Sequence, residues 1–248
     1  MAIDKNSNGF TFGFAIAMVV VVGLALSLIA MGLKPRQIEN RKQDKMMDIL
    51  SAINVESTRD NSAKLFEKYI VERVIINHKG EVLSTNSGEI DVFNEEDAFN
   101  VDVKKEYRDR KIGKEDKNYP LFVCDKDGER FYVVPMVGNG LWGPIWGFIA
   151  LENDYNTIYG ASFDHKGETP GLGAEISQDK FQKQFKGQKI YNDNGDFVSV
   201  NVKKGGASEG SKHEVDGITG GTITSDGVTE MMNRTFKIYT NYFDQKES

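Results

Sequence analysis

From Thr11 to Leu33 the chain runs for 23 residues without a charge, and 18 of them are apolar. Coiled as an α-helix at about 1.5 Å per residue, such a run reaches roughly 34 Å, just past a hydrocarbon core of about 30 Å. A segment of this kind can span a bilayer, and the rest of the chain must then be tethered to it. A cleaved secretory signal is the competing reading, but its apolar core runs about 7 to 15 residues behind a distinctly basic start. Here only Lys5 precedes a longer core, so a retained anchor is expected. Gly13, Ala17, Gly23 and Ser27 offer small-residue spacing that permits close helix approach in lipid, although such spacing is common by chance. Lys34, Arg36, Arg41, Lys42 and Lys45 come after the span, and on charge alone they would keep the bulk of the chain in the cytoplasm. Glu39, Asp44 and the length of the domain beyond them weaken that rule, because long domains translocate largely regardless of charge.

The 248 residues leave length beyond the span for one or two domains with a sizeable core. A composition of 39% hydrophobic and 27% charged residues, with five prolines, is globular rather than disordered or collagenous. The formal net charge of -6 argues against a nucleic-acid partner, whose binders carry a basic face to displace counterions. The single cysteine, Cys124, rules out an intrachain disulfide and any cysteine-rich zinc or iron–sulfur site within this chain.

Pro35 is expected to mark the exit from the span, with Met46, Met47, Ile49, Leu50 and Ile53 forming an amphipathic juxtamembrane helix over Ile38 to Ile53. A second helix from Asn61 carries Leu65, Phe66, Tyr69 and Ile70, followed by the β-branched run Val74, Ile75, Ile76 and a turn at His78-Lys79-Gly80. The stretch from Asn86 to Asn118 is highly charged and reads as surface structure. From Tyr119 the pattern changes to strands. Leu121 to Cys124 and Arg130 to Val137 form a hairpin about the Asp125 to Gly128 turn, and Ile145 to Leu151 forms a further strand. Phe181 to Phe185 reads as helix and Phe197 to Val202 as strand, while Val228 to Tyr242 has helical periodicity. The expected class is α+β, with an antiparallel sheet and flanking helices. Residues 1–10 form a short stub, 11–33 the transmembrane helix, 34–118 a juxtamembrane helical and charged α/β region, and 119–248 the main domain.

Gly138-Asn-Gly140-Leu-Trp-Gly143 matches the dinucleotide fingerprint G-x-G-x-x-G but fails on context. A phosphate loop of that type opens a helix, whereas Pro144 leads here into the strand-like run Ile145, Trp146, Phe148, Ile149. His78, His165 and His213 are too scattered for a metal pattern, and Asp125, Asp127 and Gly128 lack the remaining ligands of a calcium loop. Two segments remain. Glu168-Thr-Pro-Gly-Leu-Gly173 sets two glycines around Leu172, which lets a turn approach a flat surface closely. Asp216-Gly-Ile-Thr-Gly-Gly-Thr222-Ile-Thr-Ser225 exposes hydroxyls just before the last helix. Thr224 or Ser225 would cap that helix, and on spacing alone a cap outweighs a cofactor site. A phosphate on Thr222 would nonetheless lie at the positive end of the helix dipole.

In chain order these residues form one N-terminal span, G-L-W-G-P-I-W-G-F-I-A-L at Gly140 to Leu151, E-T-P-G-L-G-A-E-I at Glu168 to Ile176, and D-G-I-T-G-G-T-I-T-S at Asp216 to Ser225. The combination, spread over nearly the whole chain, resembles the C-subunit family of the sodium-translocating NADH:quinone reductases, bacterial respiratory complexes of six subunits. The resemblance implies one FMN joined by a phosphoester to the last threonine of an S/T-G-A-T motif, which is Thr222 here, by a separate flavin transferase using FAD and magnesium. Gly221 replaces the usual alanine; it keeps the loop open, and modification is expected to survive. His165 stands one residue farther from Glu168 than the family pattern has it, so no role passes to it.

The resemblance further implies that Leu172 lies against the flavin ring and that Thr169 and Gly171 lie near its polar edges. Trp146 is an aromatic candidate for the same pocket, with an ordinary core role equally open. Asp216, the motif's acidic position, would help present the loop to the transferase, and Gly217, Thr219, Gly220, Gly221, Thr224, Glu168 and Gly173 complete the expected cofactor-binding set; no metal ligand is expected. A threonine hydroxyl is a weak nucleophile and the sequence offers no base beside it, so activation must come from the transferase. The implied function is electron transfer within the complex, without activity of the isolated chain. The implied place is the bacterial inner membrane, crossed once, with 1–10 cytoplasmic and the bulk of the chain periplasmic, contrary to the charge count.

Two alternatives remain at this level. The G-subunit of the related ferredoxin-linked Rnf complex shares the anchor and the flavinylated threonine, but it is usually shorter in the region Ile38 to Asn118. A membrane-anchored extracytoplasmic sensor would use Arg130 to Leu151 as a ligand-binding sheet and would carry no covalent flavin.

Overall fold

The computed structural model describes residues 7–109 and 111–247. Lys5, with the rest of residues 1–6 of the expected stub, lies outside the described residues. The chain divides into two units, 1–44 and 45–248. Helix α1 (Asn8–Ala52) begins in the first and ends in the second, with Pro35 inside it. The span and the juxtamembrane helix expected over Ile38 to Ile53 therefore belong to one helix, which Pro35 does not break. A proline removes one i→i−4 hydrogen bond and crowds the preceding turn, but Met31, Leu33, Lys34, Arg36, Gln37 and Glu39 on its two sides are good helix formers. In the first unit every residue from Thr11 to Leu33 is exposed, so this stretch is apolar all round and long enough to cross a membrane.

In the second unit the helix ends on a buried stripe, Met46, Ile49 and Leu50, which Ile53 just beyond it continues. These pack with Phe66 of α2 (Arg59–Tyr69) and with Phe122, Phe131, Val133 and Phe148 on one face of a six-stranded antiparallel sheet. Its strands are β1 (Ile70–Ile76), β2 (Val82–Asn86), β3 (Tyr119–Lys126), β4 (Glu129–Asn139), β5 (Pro144–Leu151) and β6 (Ile158–His165), in the order β2-β1-β3-β4-β5-β6. The expected hairpin is β3–β4. Its two-residue turn, Asp127-Gly128, has φ of 57° and 83°, the pair of positive values that a type I′ turn requires.

The opposite face of the sheet is covered by α5 (Thr222–Glu247), whose Val228, Met231, Met232, Phe236, Tyr239 and Phe243 form the matching apolar stripe. The helix expected from Val228 thus starts at Thr222, inside the motif itself. Ile70 opens β1 instead of continuing α2, because Ile70 to Ile76 is rich in β-branched residues. Of the expected strand Phe197 to Val202 only Asn201 and Val202 pair regularly, in β7 (Asn201–Lys203) alongside the parallel β8 (Glu214–Asp216). A short α4 (Asp179–Gln182) and a 3₁₀ turn, Lys183–Phe185, fill the expected helical stretch.

The charged stretch 86–118 is only partly surface. Asp97, Ala98, Phe99 and Val101 are buried in it, and α3 (Val103–Arg108) comes next, capped by the Asp102 carboxylate, which accepts from the N–H groups of Lys104 and Lys105. Arg73 of β1 holds the stretch in place. Its guanidinium donates to both oxygens of Asp97 at 2.8 to 3.0 Å and to the carbonyl of Gly88 at 2.8 Å. A local hydropathy pattern cannot reveal such anchoring, because the partner lies on a distant strand.

Candidate functional site

The G-x-G-x-x-G segment is the β4–β5 hairpin loop, with Gly140 N–H donating to the Gly143 carbonyl at 2.7 Å, and it opens no helix. Its neighbour across the end of the sheet is the turn after β6. The two are joined by Glu168, which is 5% exposed. One carboxylate oxygen accepts the Trp142 N–H at 2.8 Å and the other accepts the hydroxyl of Thr224 at 2.7 Å. The Glu168 N–H in turn donates to His165 Nδ1 at 3.1 Å. One side chain therefore ties the hairpin loop, the E-T-P-G-L-G turn and the first turn of α5 to one another. The absence of side chains at Gly140 and Gly173 is what admits the carboxylate: a Cβ on Gly140 would stand 2.6 Å from Glu168 Oε1, and one on Gly173 2.5 Å from Oε2.

Thr222 is the first residue of α5. The first N–H bonding within the helix is that of Ser225, which donates to the Gly221 carbonyl at 2.9 Å. By helix geometry the N–H groups of Thr222, Ile223 and Thr224 have no intrahelical acceptor, and the positive end of the dipole lies here. The expected cap is corrected, because Thr224 and Ser225 lie within the first turn and their hydroxyls turn elsewhere. Thr224 bonds Glu168, and Ser225 Oγ accepts the Ile218 N–H at 3.2 Å, which folds the motif loop back on the helix. A hollow of about 240 Å³ opens beside Thr222, lined by Lys204, Gly217, Ile218, Thr219, Gly220 and Asp226 among others. Gly220, at φ 75°, lies directly under Leu172; a Cβ there would meet Leu172 Cδ2 at 2.6 Å.

The expected residues Glu168, Leu172, Gly173, Gly217, Thr219, Gly220, Gly221, Thr222 and Thr224 are thus brought together. Asp216 stands at the back of the loop, where its carboxylate accepts the Ala207 N–H at 2.8 Å and so fixes the bend that carries Lys204 and Gly205. Thr169 is exposed, and its carbonyl accepts the N–H groups of Leu172 and Ala174. The Gly171 N–H donates to the Glu175 carboxylate at 3.0 Å, so that edge of the turn is already engaged.

Trp146 is not brought to this cluster. Along β5, Ile145 and Ile149 point toward α5 and Trp146 and Phe148 toward the other face, as strand alternation demands. The Lys104 ammonium lies 3.3 Å from the centre of the Trp146 ring, and burial lowers the pKa of this lysine. The aromatic residue next to the site is Trp142, 69% exposed, and with Leu141, Leu172 and Ile223 it gives this end of the domain several exposed apolar side chains. Sequence reading missed Trp142, Ile223 and Lys204. The first sits in the same G-L-W-G-P-I-W-G string as Trp146, but before Pro144, in the hairpin loop that precedes β5.

These features fit a phosphorylated, partly apolar group. Helix N–H groups and Lys204 suit an anion, the small residues of the motif leave its threonine accessible, and the apolar side chains suit a flat ring. At about 240 Å³ the hollow lies below the roughly 300–1,000 Å³ of pockets that enclose a whole ligand. It suits the phosphate end of such a group, with the remainder on the open surface.

Comparison with known proteins gives the same region a family. The FMN-binding domain family matches residues 140–237. Over 222 residues the chain is 32% identical to the C-subunit of the Na(+)-translocating NADH-quinone reductase of Vibrio vulnificus, covering 88% of this chain and 86% of the relative. It is 31% identical to the same protein of Neisseria meningitidis over 229 residues, covering 91% and 88%. The crystal structure of the C-subunit from Parabacteroides distasonis is similar at a TM-score of 0.73 and 40% identity, covering 85% of this chain and 96% of that one. The structure of Shewanella oneidensis NqrC is similar at 0.69 and 28%, covering 84% and 100%.

Proposed function

The chain belongs to the C-subunit family of the Na(+)-translocating NADH-quinone reductases, and from that premise we propose that it carries one FMN as a phosphoester on Thr222. It is an electron-transfer subunit of a translocating oxidoreductase, with an FMN-binding domain. The observation that carries the finer reading is the position of Thr222: first residue of α5, beside a hollow, after a loop whose glycines let it pack closely on Leu172 and Ile218.

Helix N–H groups and the Lys204 ammonium would hold the phosphoester, whose negative charge the helix dipole favours. Leu172 and Ile223 would give the ring an apolar surface, and Glu168 would keep the turn beneath it fixed. When bound, FMN supplies the redox chemistry, while the protein supplies orientation and electrostatics. A threonine hydroxyl is a weak nucleophile, so a flavin transferase would attach the cofactor. Asp216, by fixing the bend at Gly205 to Ala207, would hold the motif loop in the shape that enzyme meets. The Thr11 to Leu33 run would anchor the chain as its single span in the bacterial inner membrane, with the flavin domain periplasmic and the other five subunits of the complex as partners.

The test is intact mass, with in-gel flavin fluorescence after denaturation, on wild type and Thr222→Ala made with the transferase. One covalent FMN in wild type and none in the variant is the expected result. A wild type without denaturation-resistant flavin, while a control protein is modified, overturns it.

A further inference from the structure

The two edges of the six-stranded sheet are treated differently. Strand β6 is covered by its own chain: Ile158 N–H donates to the Gln188 carbonyl and Gly187 N–H to the Ile158 carbonyl, each at 2.8 Å, and the Gln182 amide donates to the Phe163 carbonyl at 3.0 Å. Strand β2 is paired on one side only, with β1. An open edge is ordinarily blunted by charge or proline against unwanted pairing. The β2 sequence, Val82-Leu-Ser-Thr-Asn86, carries neither, and both Val82 and Leu83 are about half exposed.

The loop after β2 adds to this edge. Ser84 Oγ and Asn86 Nδ2 donate to the Glu96 carbonyl at 2.6 and 2.7 Å, and Asn94 Nδ2 donates to Asn86 Oδ1 at 3.2 Å, so residues 91–96 are fixed beside β2. That loop exposes Val92 and Phe93, the latter at 88%. Between Lys79 and Lys104 the charge has one sign. Residues 80–103 contain no lysine or arginine, and Glu81, Glu89, Asp91, Glu95 and Glu96 are all exposed. Such a field repels an anionic lipid surface and opposes edge-to-edge pairing with a second copy, which would bring two sets of carboxylates together.

We propose that the β2 edge, with Val92 and Phe93, receives an extended apolar segment bearing lysine or arginine from another subunit of the complex, added as a further strand. Main-chain hydrogen bonds would supply affinity, and the alternating side chains and the acidic rim would supply specificity. This rests on the reading of the chain as a subunit of a membrane complex.

The test places a photo-crosslinking amino acid at Phe93, and separately at Leu83, in the full chain within the assembled, flavin-loaded complex. The expected product is a crosslink to a lysine- or arginine-bearing peptide of another subunit. With the crosslinker at Leu83, the added pair Glu95→Lys and Glu96→Lys should cut that yield several-fold while covalent flavin per chain is unchanged. Crosslinks only to lipid, to a second copy or to the chain itself, or none in a complex that is intact and flavin-loaded, overturn the docking surface alone. A chain that co-purifies with no other subunit overturns the underlying reading as well.

Discussion

The Thr224 hydroxyl donates to Glu168 Oε2 at 2.7 Å, and both residues are buried. Two short motifs far apart in sequence are thereby closed onto each other at the mouth of the candidate site. The same carboxylate holds the Trp142 N–H with its other oxygen. Both of its oxygens are therefore committed to holding the site together, and the consequences can be measured.

Glu168→Ala leaves the buried Thr224 hydroxyl without its acceptor, at about 1–3 kcal/mol, and releases the Trp142 N–H in the exposed hairpin loop. Urea unfolding of the second unit, taken from Lys45 onward, should show a loss in that range. Glu168→Gln keeps an oxygen for Trp142 and an amide that can donate to Thr224 once its hydroxyl rotates, and it should recover most of the stability. Covalent flavin per chain should change in the same order. A Gln variant as weak as Ala would show that the negative charge, not the hydrogen bonding, is what matters.

Gly220→Ala forces a side chain onto a residue at φ 75° and sets its Cβ 2.6 Å from Leu172 Cδ2. The backbone penalty alone is about 1–2 kcal/mol. Flavin incorporation should fall, and Gly220→Ala combined with Leu172→Ala should regain part of it by removing the clash. Incorporation at the wild-type level in the single variant would show that the loop rearranges freely.

Arg73→Met or Asp97→Asn should each cost about 3–5 kcal/mol, because each leaves a buried charge or its donors without a partner. Replacing both, Arg73→Met with Asp97→Asn, should cost much less than the sum of the single changes. A double-mutant cycle by thermal or urea unfolding measures this, and additive losses would contradict the pairing.

Lys45, beyond the apolar run and inside the second unit, donates to the carbonyls of Phe99 at 2.6 Å and Val101 at 3.3 Å. Burial lowers its pKa from 10.5 to about 8, against the opposing pull of Asp102 and Asp97. Between those two values the unfolded chain holds a proton that the folded chain has released, so this group makes stability rise with pH. The rise is on the order of 3 kcal/mol in full. Buried Cys124 acts the other way above about pH 9, where its unfolded thiol ionises and its folded one does not. The expected signature is therefore in the difference between wild type and Lys45→Met across pH 8 to 10.5, and a flat difference would refute it.

Much of the fold was legible because its signals are local. An uncharged apolar run states its own solvent preference, Asp127-Gly128 states its turn, and Val228, Met231, Met232 and Phe236 state a helix face. Strand β6 was missed because Ile158-Tyr-Gly-Ala-Ser-Phe-Asp-His165 mixes small and polar residues with few branched ones, and its burial comes from neighbours supplied by the fold. The stretch 86–118 was read as surface because its charges were counted without Arg73, the partner that buries Asp97.

At the site the same division holds. The motifs named Thr222, Leu172 and Glu168 as a set only through the family they resemble, since spacing alone favoured a helix cap. Whether Trp142 or Trp146 attends them, and that Glu168 closes on Thr224, was decided by tertiary structure alone. Strand parity assigns a side chain to a face, but only the packing of α5 against β4 determines which face is the site. A hydrogen bond between distant residues exists only once the sheet has brought its two ends together.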